Sequence, residues 1–301
     1  MMLAPARIKL VGGSLEVDLF SDDEQVISPG QVMSVSTTPL PDRATGASRV
    51  AGATSKLVRL APLLYSQGFG TRRECAALVQ AGEVTVGDTV VDNPDAEFDP
   101  AGLAFCVQGQ RWVYHARAVV LLHKPAGFEC SQRPQRHPSV LSLLPVPLRR
   151  RGVQPVGRLD ADTTGLLLLS DDGALIHRLT SPKHHVAKVY EVTTKHAATP
   201  ALAQRLVDGV QLADEAQPVR AAACTAAGPH ALRLTLTEGK YHQVKRMVAA
   251  AGNRVEALHR SAFGGLTLGD ELPPGRWRFA TAQEVALLDA PRASAGRRSA
   301  G

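Results

Sequence analysis

The 301-residue sequence predicts an α+β protein with a small N-terminal module and a larger module built on a mainly antiparallel sheet. Hydrophobic residues make up 44% of the chain, which is enough to give two domains a sizeable core. Segments with the apolar spacing of strands and of helices are interspersed along the chain. They do not repeat in the strand–helix–strand rhythm of a parallel sheet, so a mainly antiparallel sheet is favoured.

The two ends of the chain differ in composition from the rest. Residues 1–55 are predicted to form a disordered leader, because its second half is rich in Ser, Thr, Pro, Gly and Ala. Residues 7–20 alternate in a strand-like way but are too isolated to be placed, and Met33 is an alternative start. The tail, residues 291–301, is predicted to be flexible.

Residues 56–106 are predicted to form a small module of two helices and a hairpin. Leucines at helical spacing and a terminal glycine indicate the first helix: Leu57, Leu60, Leu63, Leu64 and Gly68. Thr71 and Glu74 have the spacing of a capping box, so the second helix is predicted to begin there, and Gly82 ends it. Short apolar runs then flank a Gly-Asp pair, which is typical of a tight hairpin turn.

Residues 118–290 are predicted to form the larger module. Continuous or alternating apolar runs predict four strands: 119–122, 166–169, 189–193 and 232–236. Helical period predicts two helices: 199–209 and 242–251. Asp171 and Asp172 are candidate N-caps of a further helix, and the arginines of residues 149–151 predict a basic loop.

The charge, the cysteines and the apolar runs of the chain indicate which partners and which location to expect. The formal charge of +6 and the pI of about 9.3 favour a polyanion such as RNA, although charge alone also fits proteins that bind no nucleic acid. The four cysteines are far apart in a chain too large to need disulfides, which predicts reduced thiols and a cytoplasmic location. An apolar run of roughly eighteen residues is missing, so no membrane partner is expected.

Three arginines of the small module are candidate phosphate contacts. Arg72 and Arg73 fall on the first turn of the second helix, whose free N–H groups favour anions, and Arg59 lies in the first helix. A solvated helix end is the alternative that these residues alone leave open. The module resembles the S4-type RNA-binding domain in the run Gly68-Phe69-Gly70-Thr71-Arg72-Arg73-Glu74. Pro62 departs from that family's pattern, and the resemblance implies that the module binds RNA.

A second set of motifs spans residues 120–290. Four of them follow one another along the chain: Lys124-Pro125-Ala126-Gly127, Gly157-Arg158-Leu159-Asp160, Lys188-Val189-Tyr190 and His242-Gln243-Val244-Lys245-Arg246. This series resembles the RsuA/RluB-type pseudouridine synthases, in which a synthase domain follows an S4 domain. The resemblance implies an isomerase that converts uridine to pseudouridine in RNA.

The resemblance also implies three catalytic roles. Asp160 is the nucleophile at the sugar, Lys245 keeps it ionised and aimed, and Tyr190 stacks on the target base. From the residues alone, Asp160 also fits a turn, Lys245 an exposed helix charge, and Tyr190 an ordinary strand residue. We interpret Asp162 as structural or facing the RNA.

Other polar residues are assigned to RNA contacts rather than to a cofactor. Arg158 and Lys188 are candidate phosphate contacts, and so is Arg246, which points away from Lys245 on the predicted helix. No cofactor is expected, because the reaction needs no redox change and the glycines form no dinucleotide fingerprint. His184 and His185 suggest a metal, but adjacent histidines in an extended segment face opposite ways, so no metal site is expected.

The substrate is inferred from three stretches near the expected active site. Residues 162–165, 181–185 and 240–245 resemble the family branch that acts on small-subunit ribosomal RNA. We therefore expect a monomeric enzyme that acts on 16S ribosomal RNA, free or in a pre-30S particle. Two alternatives stay open: an enzyme for large-subunit (23S) ribosomal RNA, and a non-catalytic RNA-binding factor for ribosome assembly. The intact catalytic set argues against the second alternative.

Overall fold

A computed structural model describes residues 7–11, 14–18 and 56–289. Strands β1 (Arg7–Val11) and β2 (Ser14–Asp18) pair antiparallel and belong to a compact unit of their own. They fall within the predicted disordered leader, which therefore carries secondary structure in this part. The rest of the leader, Met33 and the tail lie outside the described residues.

The small module consists of two helices and two sheets. Its elements are β3 (Val58–Arg59), α1 (Leu60–Gln67), α2 (Arg72–Gln80), β4 (Val84–Val86), β5 (Thr89–Val90), β6 (Glu97–Phe98), β7 (Ala104–Val107) and β8 (Gln110–Val113). Strands β3 and β6 form one antiparallel pair, and the order β5-β4-β7-β8 forms an antiparallel sheet. This sheet continues past residue 106, because β7 pairs with β8 along its whole length.

Local signals place both helices of this module. Thr71 and Glu74 form the predicted capping box, with each side chain bonded to the other's backbone N–H. Helix α1 begins at Leu60, so Leu57 lies outside it, and Pro62 sits in the first turn, where its missing N–H costs nothing. Gly68 ends α1 in the left-handed conformation, with φ of +87°.

The larger module is built on a nine-stranded sheet. Its strands are β9 (Val119–Lys124), β10 (Gln154–Pro155), β11 (Thr164–Ser170), β12 (Lys188–Thr194), β13 (Ala223–Gly228), β14 (Ala231–Leu236), β15 (Val255–Phe263), β16 (Leu266–Thr267) and β17 (Trp277–Phe279). Its helices are α3 (Val146–Arg150), α4 (Gly173–Thr180), α5 (Pro200–Asp208), α6 (Gln243–Ala250) and α7 (Ala282–Asp289).

The central sheet runs in the order β13-β14-β12-β15-β11-β9-β17, with β10 beside β11 and β16 beside β15. Only β11 and β15 pair in parallel among the described strands, which confirms the predicted α+β class with a mainly antiparallel, mixed sheet. Strand β11 is apolar on both faces because Leu167 and Leu169 join one hydrophobic cluster and Leu166 and Leu168 join the other. The loop that precedes β11 is therefore anchored on a rigid, doubly covered strand.

The predicted basic loop at residues 149–151 is wrong. Residues 149 and 150 end helix α3, and Arg151 turns inward to Asp171 at 2.6 Å, with both side chains largely buried. A buried guanidinium needs a carboxylate partner, so Asp171 serves as that partner and not as an N-cap. Asp172 alone caps α4, accepting from the backbone N–H groups of its first turn.

Arg151 also joins the two modules. Its guanidinium donates to Oε1 of Gln67 at 2.8 Å, at the end of α1. A Cβ at Gly68 would lie 2.1 Å from the carbonyl oxygen of Pro147, so α1 and α3 touch backbone to backbone. The small module is thereby fixed against the larger one in a shared hydrophobic cluster.

Candidate active site

A cleft of about 450 Å³ opens beside the central sheet. Its walls are formed by the loop before β11, by residues of β12 and β15, and by the loop that leads into α6. Residues 129–131 and residues 179–182, at the end of α4, complete the lining. Asp160, Tyr190 and Arg158 all line it, so the structure brings these sequence-predicted residues together.

A buried lysine anchors the loop that carries Asp160. Lys124 is fully buried, and its ammonium donates to the carbonyl oxygens of Thr163, Pro125 and Ala161 at 2.8, 3.0 and 3.1 Å. Burial lowers the pKa of this ammonium, and the nearby carboxylates only partly oppose the effect. Three carbonyl acceptors use all three ammonium hydrogens, so the loop has little freedom to shift.

A cysteine holds the same loop from the cleft side. The sulfur of Cys130 accepts a hydrogen bond from the backbone N–H of Leu159 at 3.5 Å, and Leu159 itself is buried. Burial raises the pKa of the Cys130 thiol, which therefore stays protonated at neutral pH. The residue directly before Asp160 is thus fixed both by packing and by a hydrogen bond.

Two basic side chains contact the carboxylate of Asp160. The ammonium of Lys245 lies 3.2 Å from Oδ2, and Nε2 of His242 lies 3.4 Å from Oδ1. Lys245 comes from the first turn of α6, and His242 precedes it in the left-handed conformation with φ of +47°. This strained position aims the imidazole at the carboxylate.

Asp162 is a second partner of the same ammonium. Its two carboxylate oxygens lie 2.6 and 2.8 Å from Nζ of Lys245, closer than Asp160 does. Burial works to raise the pKa of Asp162, but the hydrogen bond and charge of Lys245 outweigh it and hold the pKa below its usual value. The pKa of Lys245 is raised, because its bonds to Asp162 and Asp160 outweigh its own desolvation. Asp162 is therefore structural in the sense that it positions Lys245.

Tyr190 lies in β12, where it is 8% exposed and faces the cleft. It pairs with Leu234 on one neighbouring strand and with Arg260 on the other. A ring held between two strands is rigid, so its face is presented to the cleft in a fixed orientation.

The candidate RNA contacts of the larger module differ in their surroundings. Arg158 is exposed at the rim of the cleft. Lys188 lines the cleft with its ammonium 5.5 Å from the ring centre of Phe263. Arg246 does not line the cleft. It forms an ion pair with Asp214 and donates a hydrogen bond to the backbone carbonyl of Tyr241.

The arginines of the small module are exposed. Arg72 and Arg73 stand on the first turn of α2, and the guanidinium of Arg72 lies 4.8 Å over the ring of Tyr65. Arg59 belongs to β3 rather than to the first helix. Its guanidinium lies 3.1 Å from the carboxylate of Asp95, and both side chains are exposed. Such exposed pairs are weak, so they leave the arginine able to exchange partners.

Several residues of the site carried no individual signal in the sequence. His242 stood inside a recognised motif without a role, and Lys124 stood in another. Cys130 follows closely on the motif of Lys124 but had no role assigned to it, and no pattern in the sequence places Arg260 near Asp160. Only the folded chain reveals their contacts, because they come from segments far apart in sequence.

A metal site is not formed in the part of the chain that the structure describes, where no three His, Cys, Asp or Glu residues are grouped to hold an ion. The extended conformation predicted for the two histidines is wrong: His184 ends a 3-10 turn and His185 is left-handed, with φ of +47°. Within residues 7–11, 14–18 and 56–289, no helix has the length and apolarity to cross a membrane.

Comparison with known proteins defines the class. The RNA pseudouridylate synthase family model matches residues 118–250, and the S4 domain model matches residues 58–100. The fold and the aspartate-centred cleft agree with that match, and the chain belongs to the RNA pseudouridylate synthase family. It is therefore an RNA pseudouridine synthase, an isomerase with an S4 domain, and not a non-catalytic factor.

Its relatives are more specific. It is 42% identical over 235 residues to ribosomal small subunit pseudouridine synthase A of Yersinia pestis, covering 75% of this chain and 96% of the relative. It is 39% identical over 232 residues to the protein of the same name from Escherichia coli strain K12, covering 74% and 96%. A crystal structure of a pseudouridylate synthase matches 77% of this chain and 99% of its own, with 31% identity and a TM-score of 0.55.

Proposed function

We propose that this enzyme converts a uridine of small-subunit (16S) ribosomal RNA to pseudouridine, with Asp160 as the nucleophile. The observation that carries the proposal is the Asp160 carboxylate, which lies in the cleft within 3.4 Å of both Lys245 and His242. The names of the similar relatives support the small-subunit substrate. A large-subunit RNA is the alternative substrate.

The isomerisation uses groups that the cleft provides. A carboxylate oxygen of Asp160 forms a bond to C1′ while the C1′–N1 bond breaks, and N1 keeps the electron pair. The released uracil turns, its C5 bonds to C1′, and the carboxylate departs with its own bonding pair. C5 then loses a proton and N1 gains one, so atoms and charge balance without a cofactor. The ammonium of Lys245, 3.2 Å from Asp160, stabilises the carboxylate before attack and after departure.

Tyr190 supports the base once it has left the RNA stack. Flipping a nucleotide out of its stack costs a few kcal/mol, and stacking on an aromatic face offsets part of that cost. Tyr190 faces the cleft from a rigid strand, so it suits this role, and its hydroxyl can assist the loss of the C5 proton. Arg158 and Lys188 line the same cleft and suit the phosphates on either side of the flipped nucleotide.

The small module holds the RNA outside the cleft. Arg72 and Arg73 are exposed at the N-terminus of α2, where the helix dipole adds to their charge. Arg150 of α3 approaches the same helix, with its guanidinium 3.9 Å from Glu74. Arg150 thus brings an exposed arginine of the larger module near those of α2, and Arg59 is a further exposed arginine of the small module. We expect a monomeric cytoplasmic enzyme that acts on free RNA or on a pre-30S particle.

Tritium release tests the assignment of Asp160. Ribosomal RNA from cells that lack the gene, labelled with tritium at uridine C5, is incubated with the wild type, Asp160→Ala and Asp172→Asn. We expect release by the wild type and by Asp172→Asn, because asparagine preserves the helix cap, and no release by Asp160→Ala. An active Asp160→Ala variant contradicts the nucleophile, and release from large-subunit RNA alone contradicts the substrate.

Salt dependence tests the RNA-binding surface. Replacing Arg72 and Arg73 by alanine removes two phosphate contacts, so the log–log slope of affinity against salt falls by about 0.7 per contact. The matched control replaces Arg233 and Arg254, which carry the same charge but sit in the larger module, outside the cleft lining. Filter binding to small-subunit RNA gives both slopes, and equal slopes for the wild type and the first variant contradict this surface.

A further inference from the structure

An arginine is buried in the wall of the active-site cleft. Arg260 is 1% exposed, and its Nε donates to the backbone carbonyl of Leu166 at 2.8 Å. Its guanidinium carbon lies 5.2 Å from the ring centre of Phe263. Among the residues that the structure describes, none accepts a hydrogen bond from its Nη2, which is itself buried.

The sheet places this guanidinium beside Tyr190. The pairing of β12 with β15 shifts by one residue between Val189 and Tyr190, so that Tyr190 opposes Arg260 and Ser261 is passed over. Directly opposed residues of an antiparallel pair point to the same face, and both line the cleft together with Leu258. A base stacked on Tyr190 therefore has its edge next to Arg260.

The close approach of the neighbouring strand fixes the backbone of Arg260. Strand β11 pairs with it through Gly165, where a Cβ would lie 2.3 Å from the carbonyl oxygen of Arg260. Gly165 also has φ of +109°, a conformation that other residues rarely adopt. Together with the hydrogen bond from Nε to Leu166, this backbone holds the guanidinium in place before substrate arrives, as a stabiliser of transition-state charge requires.

Burying this charge is costly in the free protein. A buried guanidinium is normally paired with a carboxylate and fully hydrogen-bonded, and each unsatisfied buried donor costs free energy. The ring of Phe263 and one carbonyl compensate Arg260 only in part. A donor left over in the wall of an active site is therefore suited to an acceptor that the substrate brings.

We propose that Nη2 of Arg260 donates to a carbonyl oxygen of the flipped uracil and stabilises its negative charge as the C1′–N1 bond breaks. The inference rests on the proposed chemistry at Asp160. When N1 keeps the electron pair of that bond, the charge spreads over the carbonyl oxygens of the ring. Arg260 meets this charge on the base, whereas Lys245 acts on the carboxylate, so the two cations serve opposite ends of the breaking bond. Arg260 is a substrate-contacting catalytic residue on this assignment.

Single-turnover kinetics separate this role from RNA binding. Arg260→Lys keeps the charge but loses the planar guanidinium, and Arg260→Met also loses the charge. We expect tritium release from C5-labelled ribosomal RNA to slow by about 100-fold or more in both, with RNA affinity within twofold of the wild type. Arg233→Lys on β14, which lies on the other side of β12 from Arg260, is the control: Arg233 is exposed and outside the cleft lining, so the variant keeps the wild-type rate.

The outcomes distinguish the two proposals. An Arg260→Lys variant that releases tritium within threefold of the wild-type rate overturns the role of Arg260, even while Asp160→Ala stays inactive. An active Asp160→Ala variant instead overturns the proposed nucleophile. Thermal unfolding shows which Arg260 variants are folded, and only folded variants are compared with the wild type for tritium release.

A binding measurement gives an answer that does not depend on catalysis or on which RNA is modified. Uridine 5′-monophosphate is compared with its 2-thio and 4-thio analogues, whose sulfur is a poorer acceptor than oxygen. We expect the wild type to bind one analogue at least fivefold more weakly than the parent nucleotide, and Arg260→Lys to lose that difference. Equal affinity of the wild type for all three nucleotides, or the same difference in the variant, means that Arg260 serves the fold only.

Discussion

Replacing Lys245 by methionine tests what the ammonium that contacts both Asp160 and Asp162 contributes to the reaction. Methionine keeps most of the side-chain length and removes the charge, which lies 3.2 Å from Asp160 and 2.6 Å from Asp162. Two carboxylates then stand close together with only His242 beside them. On the proposed mechanism, Asp160 is then a poorer nucleophile, because its carboxylate is no longer held in the attacking position.

The size of the effect follows from the geometry. Two unit charges 3.2 Å apart attract by about 5 kcal/mol at an effective dielectric constant near 20. The side chains of Lys245 and Asp160 are 27% and 28% exposed, so solvent reduces this attraction, and we take about 2 kcal/mol as the part that remains. This remaining attraction of about 2 kcal/mol holds the carboxylate in its attacking position, so its loss lowers the population of that position, and with it the rate, by about 30-fold.

The assay is single-turnover tritium release from C5-labelled ribosomal RNA. Lys245→Met is compared with Lys245→Arg, which keeps the charge, and with Lys195→Met, the same substitution at an exposed lysine outside the cleft lining. We expect only Lys245→Met to lose the full 30-fold. Adding Asp162→Asn to Lys245→Met should recover part of the rate, because it removes one of the two uncompensated charges.

Two results would refute this reasoning. A Lys245→Met rate within threefold of the wild type means that the ammonium is not needed at Asp160. A Lys245→Arg rate as low as that of Lys245→Met means that the shape of the lysine, and not its charge, supports the site.

Two further predictions concern stability. Gly165→Ala puts a Cβ 2.3 Å from the carbonyl oxygen of Arg260, at φ of +109°. We therefore expect urea unfolding to show a free energy of unfolding lower by about 3 kcal/mol or more, while the control Gly173→Ala changes it by about 0.5 kcal/mol at most. Equal losses in the two variants would contradict the close approach of the strands. The bonds of Arg278 hold the pKa of Glu284 below its usual 4.5, so their stabilisation is present above pH 4.5 and lost as the pH falls through the folded pKa. Glu284→Gln should therefore cost about 1–2 kcal/mol at pH 7, a deficit that shrinks in acid; a deficit independent of pH would refute the linkage.

Local patterns in the sequence were sufficient for much of the fold. The capping box of Thr71 and Glu74 and the N-cap at Asp172 are formed as predicted, because each depends on residues within one helical turn. The apolar run of β11 is a strand as predicted, because the sheet is covered on both faces there. The motif series likewise indicated the family, which the comparisons confirmed.

Contacts between distant segments set the limit of that reasoning. The sequence predicted an exposed basic loop at residues 149–151, because no nearby residue indicates that Arg151 is buried against Asp171. Arg246 looked free to bind phosphate, yet it pairs with Asp214. A charge's local sequence does not reveal its partner, because burial brings charges together across the fold.

The sequence by itself determined the class of enzyme and the helix boundaries that depend on caps, and it predicted Asp160 as the centre of the site. Only the tertiary structure decided that Lys245 is shared with Asp162, that His242 completes the setting of Asp160, and that Arg260 lies buried beside Tyr190. The physical reason is range. Caps and periodicity act over a few residues, whereas the electrostatics of the cleft join segments that are many tens of residues apart.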